Sequence, residues 1–484
     1  MTIRQPAERF RALFEPRGIV VAGAATHPGK FGFVAFHNLR AVGYEGALFG
    51  TNLTGEDVLG ETTYASLDDI PEADLDLVFL GVPASATADV LRQAADRGIT
   101  AAFCASAGFG EIDDRGRAHQ DELAELADSL GILLAGPNGQ GVISTPVAMC
   151  AQIVAPMPPR GPIAIASQSG GMVSTFGNLA RQAGVGISRA VSVGNGAQVG
   201  VADFMEWYAT DPETTVGLAY LEDIADDTVE RLGAVADEMP VVVMRGGRSR
   251  SGVDAVAAHT GSRAGRDGTD ESLAAAGVTV VDTIGEAYRT AATFATQPLP
   301  RGPRTLVFGT AGGWCVITGD AVEASELDLV ELPDDLRAEI DARVPPRWSR
   351  RNPVDLAGGE TRDTIPELLP IIASHPDVDA VIYLGLGIQS NTAAMERGGR
   401  YYPDHGLERI VEYHERQDTR FAEAAAAASD RSGKPVIAFT ELALTDPDNP
   451  GPATVRATGR FCHSAGEEAV AALEHLWHHA RRRP

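Results

Sequence analysis

The sequence predicts an α/β protein made of three doubly wound domains. Short runs rich in Val, Ile and Leu alternate with helix-length amphipathic segments through most of the chain, which is the pattern of parallel strands covered by helices on both faces. Pro-rich stretches without hydrophobic periodicity interrupt the alternation at 151–162 and at 297–304. The chain has 484 residues, and such a length typically forms several domains of roughly 100 to 200 residues each. We therefore predict domains at 1–150, 160–297 and 303–484.

Each predicted domain contains several apolar runs of strand length, separated by helical stretches that suit βαβ crossovers. In the first domain these runs are GIVVAG (18–23), LDLVFLGVP (75–83), AAFCASAG (101–108) and GILLAGPNG (131–139). In the second they are IAIASQSGG (163–171), VGLAYLED (216–223), VVVMRGG (241–247) and VTVVD (278–282), and in the third TLVFGTAGG, DAVIYLGLG and KPVIAFTE. Residues 389–430 break this rhythm, and we expect a helical insertion or an exposed excursion there.

The charge balance argues against nucleic acid and membrane surfaces as partners. The chain has 40 basic and 66 acidic residues and a formal net charge of −26, which repels phosphate backbones and anionic membrane faces. Lys30 and Lys434 are the only lysines. An anion site must therefore rely on Arg, His or backbone amides.

Cysteine spacing and hydropathy predict a soluble protein of the reducing cytoplasm. The four cysteines are far apart and form no C-x-x-C pair, so we expect neither a disulfide framework nor a four-cysteine zinc site, and no metal site on this chain. The N-terminal segment lacks an apolar signal region, and no run of about 18 apolar residues occurs. These patterns predict neither export nor a membrane span.

A glycine-rich turn, GAATHPGKFG (23–32), follows the first strand. It is not the G-x-G-x-x-G of dinucleotide folds, because Ala25 and Pro28 occupy two glycine positions. It is not a Walker A loop either, because Phe31 replaces the Mg²⁺-binding hydroxyl. The turn suits the phosphates of a nucleotide-like ligand, and an ordinary strand-to-helix turn with an exposed lysine remains the alternative.

A second turn, ASQSGGMVS (166–174), places two hydroxyls and two glycines where a helix begins. Backbone amides, hydroxyls and the helix dipole could converge there on an anion. The G-x-S-x-G elbow of serine hydrolases is absent, so we favour anion binding, with a simple helix cap as the alternative. A third turn, GTAGGWC (309–315), has no side chain suited to catalysis and is expected to be structural.

His259 lies in AAHTGSRAG (257–265), a small-residue segment predicted to be a mobile loop, after the basic stretch RGGRSRSG (245–252). A neutral imidazole is a competent nucleophile near physiological pH. A phosphorylated histidine needs donors around its phosphoryl oxygens, which the 166–174 turn could supply. The combination indicates phosphoryl relay, whereas a surface histidine is the simpler alternative.

Taken together, the motifs resemble those of a known family, the nucleoside-diphosphate-forming acyl-CoA synthetases related to succinyl-CoA synthetase. The resemblance covers nearly the whole chain and rests on VAGAATHPGKFG, SAGFGE (106–111), GPNGQG (136–141), SQSGG, YLED, AAHTGSRAG and RNPVDL (351–356), in the family's order. It implies a Rossmann-like CoA-binding domain followed by two flavodoxin-like domains of the succinyl-CoA-ligase type.

The resemblance also implies roles for particular residues. The nucleotide part of CoA is expected near Gly23, Ala24, Lys30, Val82 and Pro83, and its thiol end and the acyl group near Ser106, Ala107, Gly108, Pro137 and Asn138. His259 matches the phosphorylated histidine, and Glu222 matches the glutamate that orients its ring. Phosphate is expected at the helix start formed by Ser167, Ser169, Gly170 and Gly171.

The implied reaction joins a small carboxylic acid to CoA through an acyl phosphate, while phosphate passes reversibly between His259 and ADP. Family members use an ATP-grasp module for ATP/ADP and Mg²⁺, and no region of this sequence matches one. The chain is therefore expected to be an α-type subunit that works with a separate ATP-grasp β subunit, as α₂β₂. The alternatives are a non-catalytic CoA-binding or regulatory protein and an NAD-dependent dehydrogenase, whose G-x-G-x-x-G is missing.

Two positions depart from the family pattern. Gly139 replaces the usual Cys of GPNGQG, and Gly196 replaces a lysine in VSVGNGAQVG. Both are expected near the acyl or CoA site, where small residues would leave room for a larger acyl group.

Overall fold

Three sheets of mainly parallel strands form the framework of the computed structural model, which describes residues 5–483 except 261–267, and only the backbone of 259 and 260. The strands are β1 Gly18–Ala22, β2 Ala47–Thr51, β3 Thr63–Tyr64, β4 Leu77–Leu80, β5 Ala101–Cys104, β6 Leu133–Ala135, β7 Gly141–Ser144, β8 Met149–Gln152, β9 Arg160–Ser167, β10 Ile187–Ser192, β11 Val216–Leu221, β12 Val241–Arg245, β13 Thr279–Val281, β14 Arg304–Gly309, β15 Asp328–Leu329, β16 Val354–Asp355, β17 Ala380–Leu384 and β18 Val436–Phe439. The α-helices are α1 Ala7–Phe14, α2 Phe31–Ala41, α3 Thr87–Asp96, α4 Asp114–Leu130, α5 Gly170–Ala183, α6 Val201–Tyr208, α7 Thr228–Glu238, α8 Arg250–Thr260, α9 Thr269–Ala275, α10 Ile284–Thr296, α11 Gly312–Glu323, α12 Asp334–Asp341, α13 Thr364–Ser374, α14 Ile388–Arg397, α15 Leu407–Ser432, α16 Leu442–Thr445, α17 Pro450–Ala457 and α18 Gly466–Ala480.

The first sheet has six strands in the order β3-β2-β1-β4-β5-β6. All of its neighbouring strands are parallel. This is the strand order of dinucleotide-binding folds, which bind ligands outside the carboxyl ends of the strands where the order reverses. The predicted Rossmann-like first domain is confirmed in fold.

The second sheet has the order β13-β12-β11-β9-β10-β7-β8. Its five strands β9 to β13 are parallel and follow the flavodoxin-like order. The antiparallel hairpin of β7 and β8 extends its edge, with Val142 opposite Val191 of β10. The predicted first domain runs to residue 150, whereas this hairpin belongs to the second sheet, because its backbone hydrogen bonds are made with β10.

The chain divides into two compact units, one formed by 1–182 and 186–291 and the other by 292–484 together with 183–185. The second unit contains the third sheet, in the order β15-β14-β17-β18 with β16 also paired to β14. Residues of α13 and α15 form an apolar core on one face of this sheet, and residues of α11 and α18 form one on the other. The third domain is thus doubly wound, as predicted.

Residues 389–430 form most of α14 and α15 rather than an exposed excursion. Phe421, Ala422 and Ala425 of α15 are buried in the core beside the third sheet. The apolar residues recur at helical spacing, which is why this segment covers the sheet. No helix in the described parts of the chain combines the length and apolar character needed to span a bilayer.

Asp418 of α15 is a fully buried acid in this core. Its Oδ2 atom accepts a hydrogen bond from the Ser390 amide at 2.7 Å, whereas Oδ1 has no partner among the described residues. Burial raises the pKa of the Asp418 carboxyl above its ordinary value of 3.8, and the Ser390 hydrogen bonds oppose this shift only in part. Folding therefore favours the protonated acid.

We predict that Asp418→Asn stabilises the protein near pH 7 by about 1 kcal/mol, because the neutral amide avoids the cost of a buried charge. A raised pKa in the folded state gives a stability contribution that is complete below the unfolded value and is lost as pH rises through the folded value. The advantage of the variant should therefore grow with pH. Thermal unfolding at several pH values measures it.

The matched control is Asp404→Asn, because Asp404 is exposed. That variant should differ from the wild type equally at every pH. An Asp418→Asn protein that is less stable than the wild type, or whose difference does not change with pH, would contradict the prediction.

Candidate active site

A cavity of about 260 Å³ lies where the carboxyl ends of strands from the first and second sheets meet. Its walls come from the turns that follow β5, β6, β9, β10 and β11 and from α4. Every residue in these walls is polar, charged or glycine: Gly110, Arg117, Gln120, Asn138, Gln140, Gln168, Ser169, Gly170, Gly171, Gly194, Asn195, Glu222 and Asp223. Such a cavity suits a polar or ionic ligand. The structure therefore brings together Asn138, Ser169, Gly170, Gly171 and Glu222, five of the residues that sequence reasoning selected.

Helix α5 begins in the wall of this cavity. The first amides of an α-helix have no partner within the helix, and the helix dipole makes this end attractive to anions. A Cβ atom on Gly170 would lie 2.2 Å from Cδ of Gln140, so glycine allows this side chain to pack against the start of the helix. Gly171 is exposed, and a Cβ there would meet nothing closer than Ser169 Oγ at 3.6 Å.

The two predicted phosphate-binding serines have different environments. Ser169 lines the cavity. Ser167 is fully buried, and its hydroxyl donates to the carbonyl of Ser169 at 2.7 Å and accepts from the Ser169 amide at 3.1 Å. The Ser167 side chain thus fixes the turn before α5 instead of facing the cavity, because a serine hydroxyl can satisfy its own backbone locally.

Glu222 is buried directly after β11, and its carboxylate borders the cavity. Its Oε1 atom accepts a hydrogen bond from the Tyr220 hydroxyl at 2.9 Å. Burial and the adjacent Glu222 charge raise the pKa of Tyr220 well above its ordinary value, so this hydroxyl remains a donor. The arrangement fixes one oxygen of Glu222.

Gln168 connects the end of β11 to the turn before α5. Its Oε1 accepts from the amides of Glu222 at 2.5 Å and Asp223 at 3.0 Å. Its Nε2 donates to the carbonyl of Asp223 at 3.1 Å. Gln168 is part of the SQSGG motif, but the motif alone does not predict its role, because the partners of this side chain lie on a neighbouring strand end.

The backbone of His259 is helical, at the penultimate position of α8, and not the loop that small residues predicted. The run VDAVAAH favours a helix because its alanines have high helix propensity. Helix α8 follows β12, the parallel neighbour of β11, where Arg245 is opposite Leu221. The side chain of His259 and residues 261–267 are outside the described part of the structure.

Glu111 organises the predicted thiol-end turn. Its Oε1 accepts from the amides of Gly108 at 2.6 Å and Phe109 at 3.1 Å, and its Oε2 accepts from Asn195 Nδ2 at 2.7 Å. Burial acts to raise the pKa of Glu111, but the hydrogen bonds from Gly108 and Asn195 outweigh it and hold the pKa below its ordinary value. The sequence contained this residue in SAGFGE, but its function in ordering the turn depends on contacts that only the fold provides.

The other residues predicted to bind CoA follow β1, β4, β5 and β6. Ser106 is buried, and its hydroxyl donates to the carbonyl of Val82; Ala107, Gly108, Pro83 and Lys30 are exposed on their turns. Pro137 lies in the turn after β6, and its carbonyl accepts from the Asn195 amide at 2.9 Å.

The amides of Gly23 and Ala24 both donate to the carbonyl of Thr51 at 2.9 Å. They are therefore engaged within the sheet. A Cβ on Gly23 would lie 2.6 Å from the Gly81 carbonyl oxygen, so this glycine is required by close backbone approach. The structure makes Lys30, at the start of α2, the charged group of this turn.

Gly139 does not open space for a larger acyl group, which corrects the expectation for that position. A Cβ on Gly139 would lie 2.6 Å from both Phe103 Cζ and the Ser192 carbonyl oxygen. The Phe103 ring thus fills the place of a side chain at 139. Gly196 has φ of +60°, a left-handed conformation that glycine adopts readily.

All four cysteines are buried as free thiols. Burial raises the pKa of each thiol to about 12. A thiol with so high a pKa is a poor nucleophile near neutral pH. Nucleophilic chemistry at this site therefore has to come from other side chains.

Comparison with known proteins assigns the three sheets to recognised domains. Family models match a CoA-binding domain at residues 17–145, a succinyl-CoA ligase-like flavodoxin domain at 160–294 and a ligase-CoA domain at 305–394. The α subunit of the ADP-forming acetate–CoA ligase I of Pyrococcus furiosus is 32% identical over 382 residues, which cover 78% of this chain and 82% of the relative. The chain belongs to the ADP-forming acyl-CoA ligase family.

Two further relatives agree with this assignment. The α subunit of the ADP-forming acetate–CoA ligase II of Pyrococcus furiosus is 33% identical, with 76% of this chain and 80% of the relative covered. A solved structure of the dinucleotide-forming acetyl-coenzyme A synthetase 1 of Ca. Korarchaeum cryptofilum, in complex with phosphate and ADP, superposes with a TM-score of 0.81 at 26% identity. That match covers 98% of this chain and 97% of the solved one. The family resemblance of the sequence motifs is thus confirmed.

We predict that Gly139→Ala lowers the free energy of unfolding by about 1 to 3 kcal/mol, because the new methyl group collides with Phe103 and with the Ser192 backbone. Gly177→Ala is the matched control, since a Cβ on Gly177 meets nothing within 4 Å. That helix substitution should stabilise by about 0.5 to 1 kcal/mol. Denaturant unfolding of both variants measures the difference. A Gly139→Ala protein as stable as the wild type would contradict the prediction, because it would mean that Phe103 and the Ser192 backbone move to accommodate the methyl group.

Proposed function

We propose that this chain is the α-type subunit of an ADP-forming acyl-CoA synthetase, which converts a carboxylate, CoA and ATP into acyl-CoA, ADP and phosphate. The proposal includes an acyl phosphate intermediate and a phosphohistidine at His259. The observation that supports it best is the polar cavity that combines the start of α5, Glu222 and the turn after β6. Family membership supports the reaction class.

Phosphate is proposed to bind at the start of α5. The amides there and the Ser169 hydroxyl supply donors, while Gly170 and Gly171 keep the approach free of side chains. Backbone donors and the helix dipole bind an anion without a lysine. This fits a chain whose net charge is −26.

Glu222 is proposed to orient the imidazole of His259. A carboxylate that accepts from one ring nitrogen selects the tautomer in which the other nitrogen is free to attack, and stabilises the ring when it becomes positive. Tyr220 holds Oε1 of this carboxylate, and Gln168 fixes the backbone that carries it. The acid is thereby preorganised.

The proposed steps are group transfers that balance without a redox partner. The free nitrogen of His259 attacks the γ-phosphorus of ATP, and the bond to ADP breaks. A carboxylate oxygen of the acid then attacks this phosphorus, so the O–P bond forms as the N–P bond breaks. Finally the CoA thiolate attacks the acyl carbon, and inorganic phosphate leaves.

CoA is proposed to bind along the carboxyl edge of the first sheet. Lys30 would contact its phosphates, since the amides of Gly23 and Ala24 already donate to Thr51. Val82, Pro83 and the turn at 106–108 would lead towards Pro137 and Asn138, and Asn138 lines the cavity. A CoA molecule bound in this way would place its thiol beside the proposed phosphate site.

The proposed partner is a separate ATP-grasp β subunit that holds ATP/ADP and Mg²⁺, in an α₂β₂ assembly. The relatives in Pyrococcus furiosus are named as α subunits, which supports a partner chain. We propose the reducing cytoplasm as the compartment, because all four cysteines are free thiols.

We predict that His259→Ala abolishes phosphorylation when the chain and an ATP-grasp subunit are incubated with ATP labelled on its γ-phosphate. The label on the wild type should be acid-labile and alkali-stable, as expected of phosphohistidine. His37→Ala is the control, because His37 is an exposed histidine on helix α2, and it should be labelled normally. Undiminished labelling of His259→Ala would remove the proposed nucleophile. A wild type that binds CoA but is never labelled would favour a non-catalytic CoA-binding role.

We predict that Glu222→Gln slows this labelling by at least about tenfold, because the neutral amide no longer stabilises the imidazolium. It should also lower the pH at which labelling reaches half its maximum, since a histidine without an adjacent carboxylate loses its proton more readily. Single-turnover labelling at several pH values measures both effects. Glu230→Gln, an equal change of charge at an exposed site on α7, should alter neither; a Glu222→Gln profile identical to the wild type would contradict the assigned role.

A further inference from the structure

A second cavity, of about 880 Å³, lies beside the third sheet, at the amino ends of its strands. Arg304 and Asp328 begin β14 and β15, and Lys434 precedes β18. Arg431 lies in the last turn of α15, and Trp477 of α18 completes the wall. We call this space the basic cavity. None of these residues belongs to the candidate active site.

The basic cavity concentrates positive charge in a strongly acidic chain. Four cations, Arg301, Arg304, Arg431 and Lys434, line it, against two carboxylates, Asp328 and Asp379. The chain as a whole has a net charge of −26, and Lys434 is one of only two lysines.

Two of the four cations already have hydrogen-bond partners within the protein. Arg304 donates to both carboxylate oxygens of Asp379, at 2.8 and 2.9 Å. The Nζ atom of Lys434 is buried and donates to the carbonyls of His375, at 2.6 Å, and Val378. These contacts are structural, because they close the end of α13 and the entry to β17.

The other two cations, Arg301 and Arg431, have no such partners among the described residues. Arg301 and Arg431 are exposed and make no hydrogen bond or ion pair among the described residues. A cation in the last turn of a helix interacts favourably with the helix dipole, which explains Arg431 in part. Arg301 lies in the segment before β14, outside the last turn of any helix, so a helix dipole does not explain its position.

The charged neighbours of Lys434 act on it in both directions. Burial lowers the pKa of Lys434, and the charges of Arg301 and Arg304 lower it further, against the opposite effect of Asp379. Guanidinium groups bind phosphate through two parallel hydrogen bonds. Trp477 packs on the core with part of its ring accessible to the cavity, and such a ring can stack on a planar base.

We propose that the basic cavity binds an organic polyphosphate of nucleotide size, with Arg301 and Arg431 on the phosphates and Trp477 against the base. The volume of 880 Å³ lies within the range of roughly 300 to 1,000 Å³ typical of small-molecule sites. This site does not rest on the proposed ligase activity, because none of its residues takes part in that reaction. Ligands of open α/β sheets usually bind at the carboxyl edge, so a nucleotide at the amino edge would act as an effector.

The test is calorimetric titration of the full chain with ATP and, separately, with inorganic tripolyphosphate. We expect saturable binding of ATP that weakens at least about tenfold, or about 1.4 kcal/mol, in the double variant Arg301→Ser with Arg431→Ser. Arg416→Ser is the matched control, because Arg416 is an exposed arginine on α15 outside the cavity. Its affinity should equal that of the wild type.

Trp477→Phe separates recognition of the base from recognition of phosphate. ATP should quench the tryptophan fluorescence of the wild type and not that of Trp477→Phe, and tripolyphosphate should bind more weakly than ATP. Absence of saturable ATP binding, or an affinity unchanged in the double arginine variant, would overturn the proposal. Equal affinities for tripolyphosphate and ATP would overturn the role of Trp477. Thermal unfolding confirms that each variant is folded.

Discussion

The candidate active site depends on the interlocking of two backbone turns, one from each of the first two sheets. The Asn195 amide donates to the Pro137 carbonyl at 2.9 Å, and the Gln140 amide donates to Ser192 Oγ at 3.0 Å. A Cβ on Gly194 would lie 2.2 Å from the Pro137 carbonyl oxygen, so only glycine allows this approach. Because the turns are fixed to each other, the carboxyl edges of the two sheets converge and enclose a polar cavity. Substitutions that separate these turns would act on the cavity before they act on either sheet.

The same convergence places the Glu222 carboxylate close to the site where we propose that phosphate binds. A buried carboxylate, Glu222, and the start of α5, which favours an anion, border one small cavity. A phosphate and a carboxylate repel each other when both lie in one small cavity. A group that carries a proton on one side and phosphate on the other removes this repulsion, and an imidazole is such a group. The geometry around Glu222 therefore gives the proposed His259 intermediate a physical reason.

The sequence predicted the strands and the fold class well, because buried parallel strands appear as short apolar runs whatever their neighbours. The residues that the sequence selected at strand ends include Asn138, Ser169, Gly170, Gly171 and Glu222, and all five line the cavity. The sequence could not assign the β7–β8 hairpin to the second sheet, because strand pairing is non-local. The sequence could not show that the Ser167 hydroxyl bonds to its own turn, because a serine at this position can bind either a ligand or the backbone. Gln168 and Glu111 were missed because their partners lie about 55 and 84 residues away, a separation that no local pattern encodes.

The two anion sites that we propose for this acidic protein would attract their ligands in different ways. At the start of α5 the proposed attraction comes from backbone amides and a helix dipole, and Arg117 also lines that cavity. In the basic cavity it comes from exposed guanidinium groups. Salt screens exposed charges strongly and buried dipoles weakly. Phosphate binding at α5 is therefore expected to depend less on ionic strength than polyphosphate binding in the basic cavity. This expected difference agrees with the catalytic role that we propose for the first site and the effector role that we propose for the second.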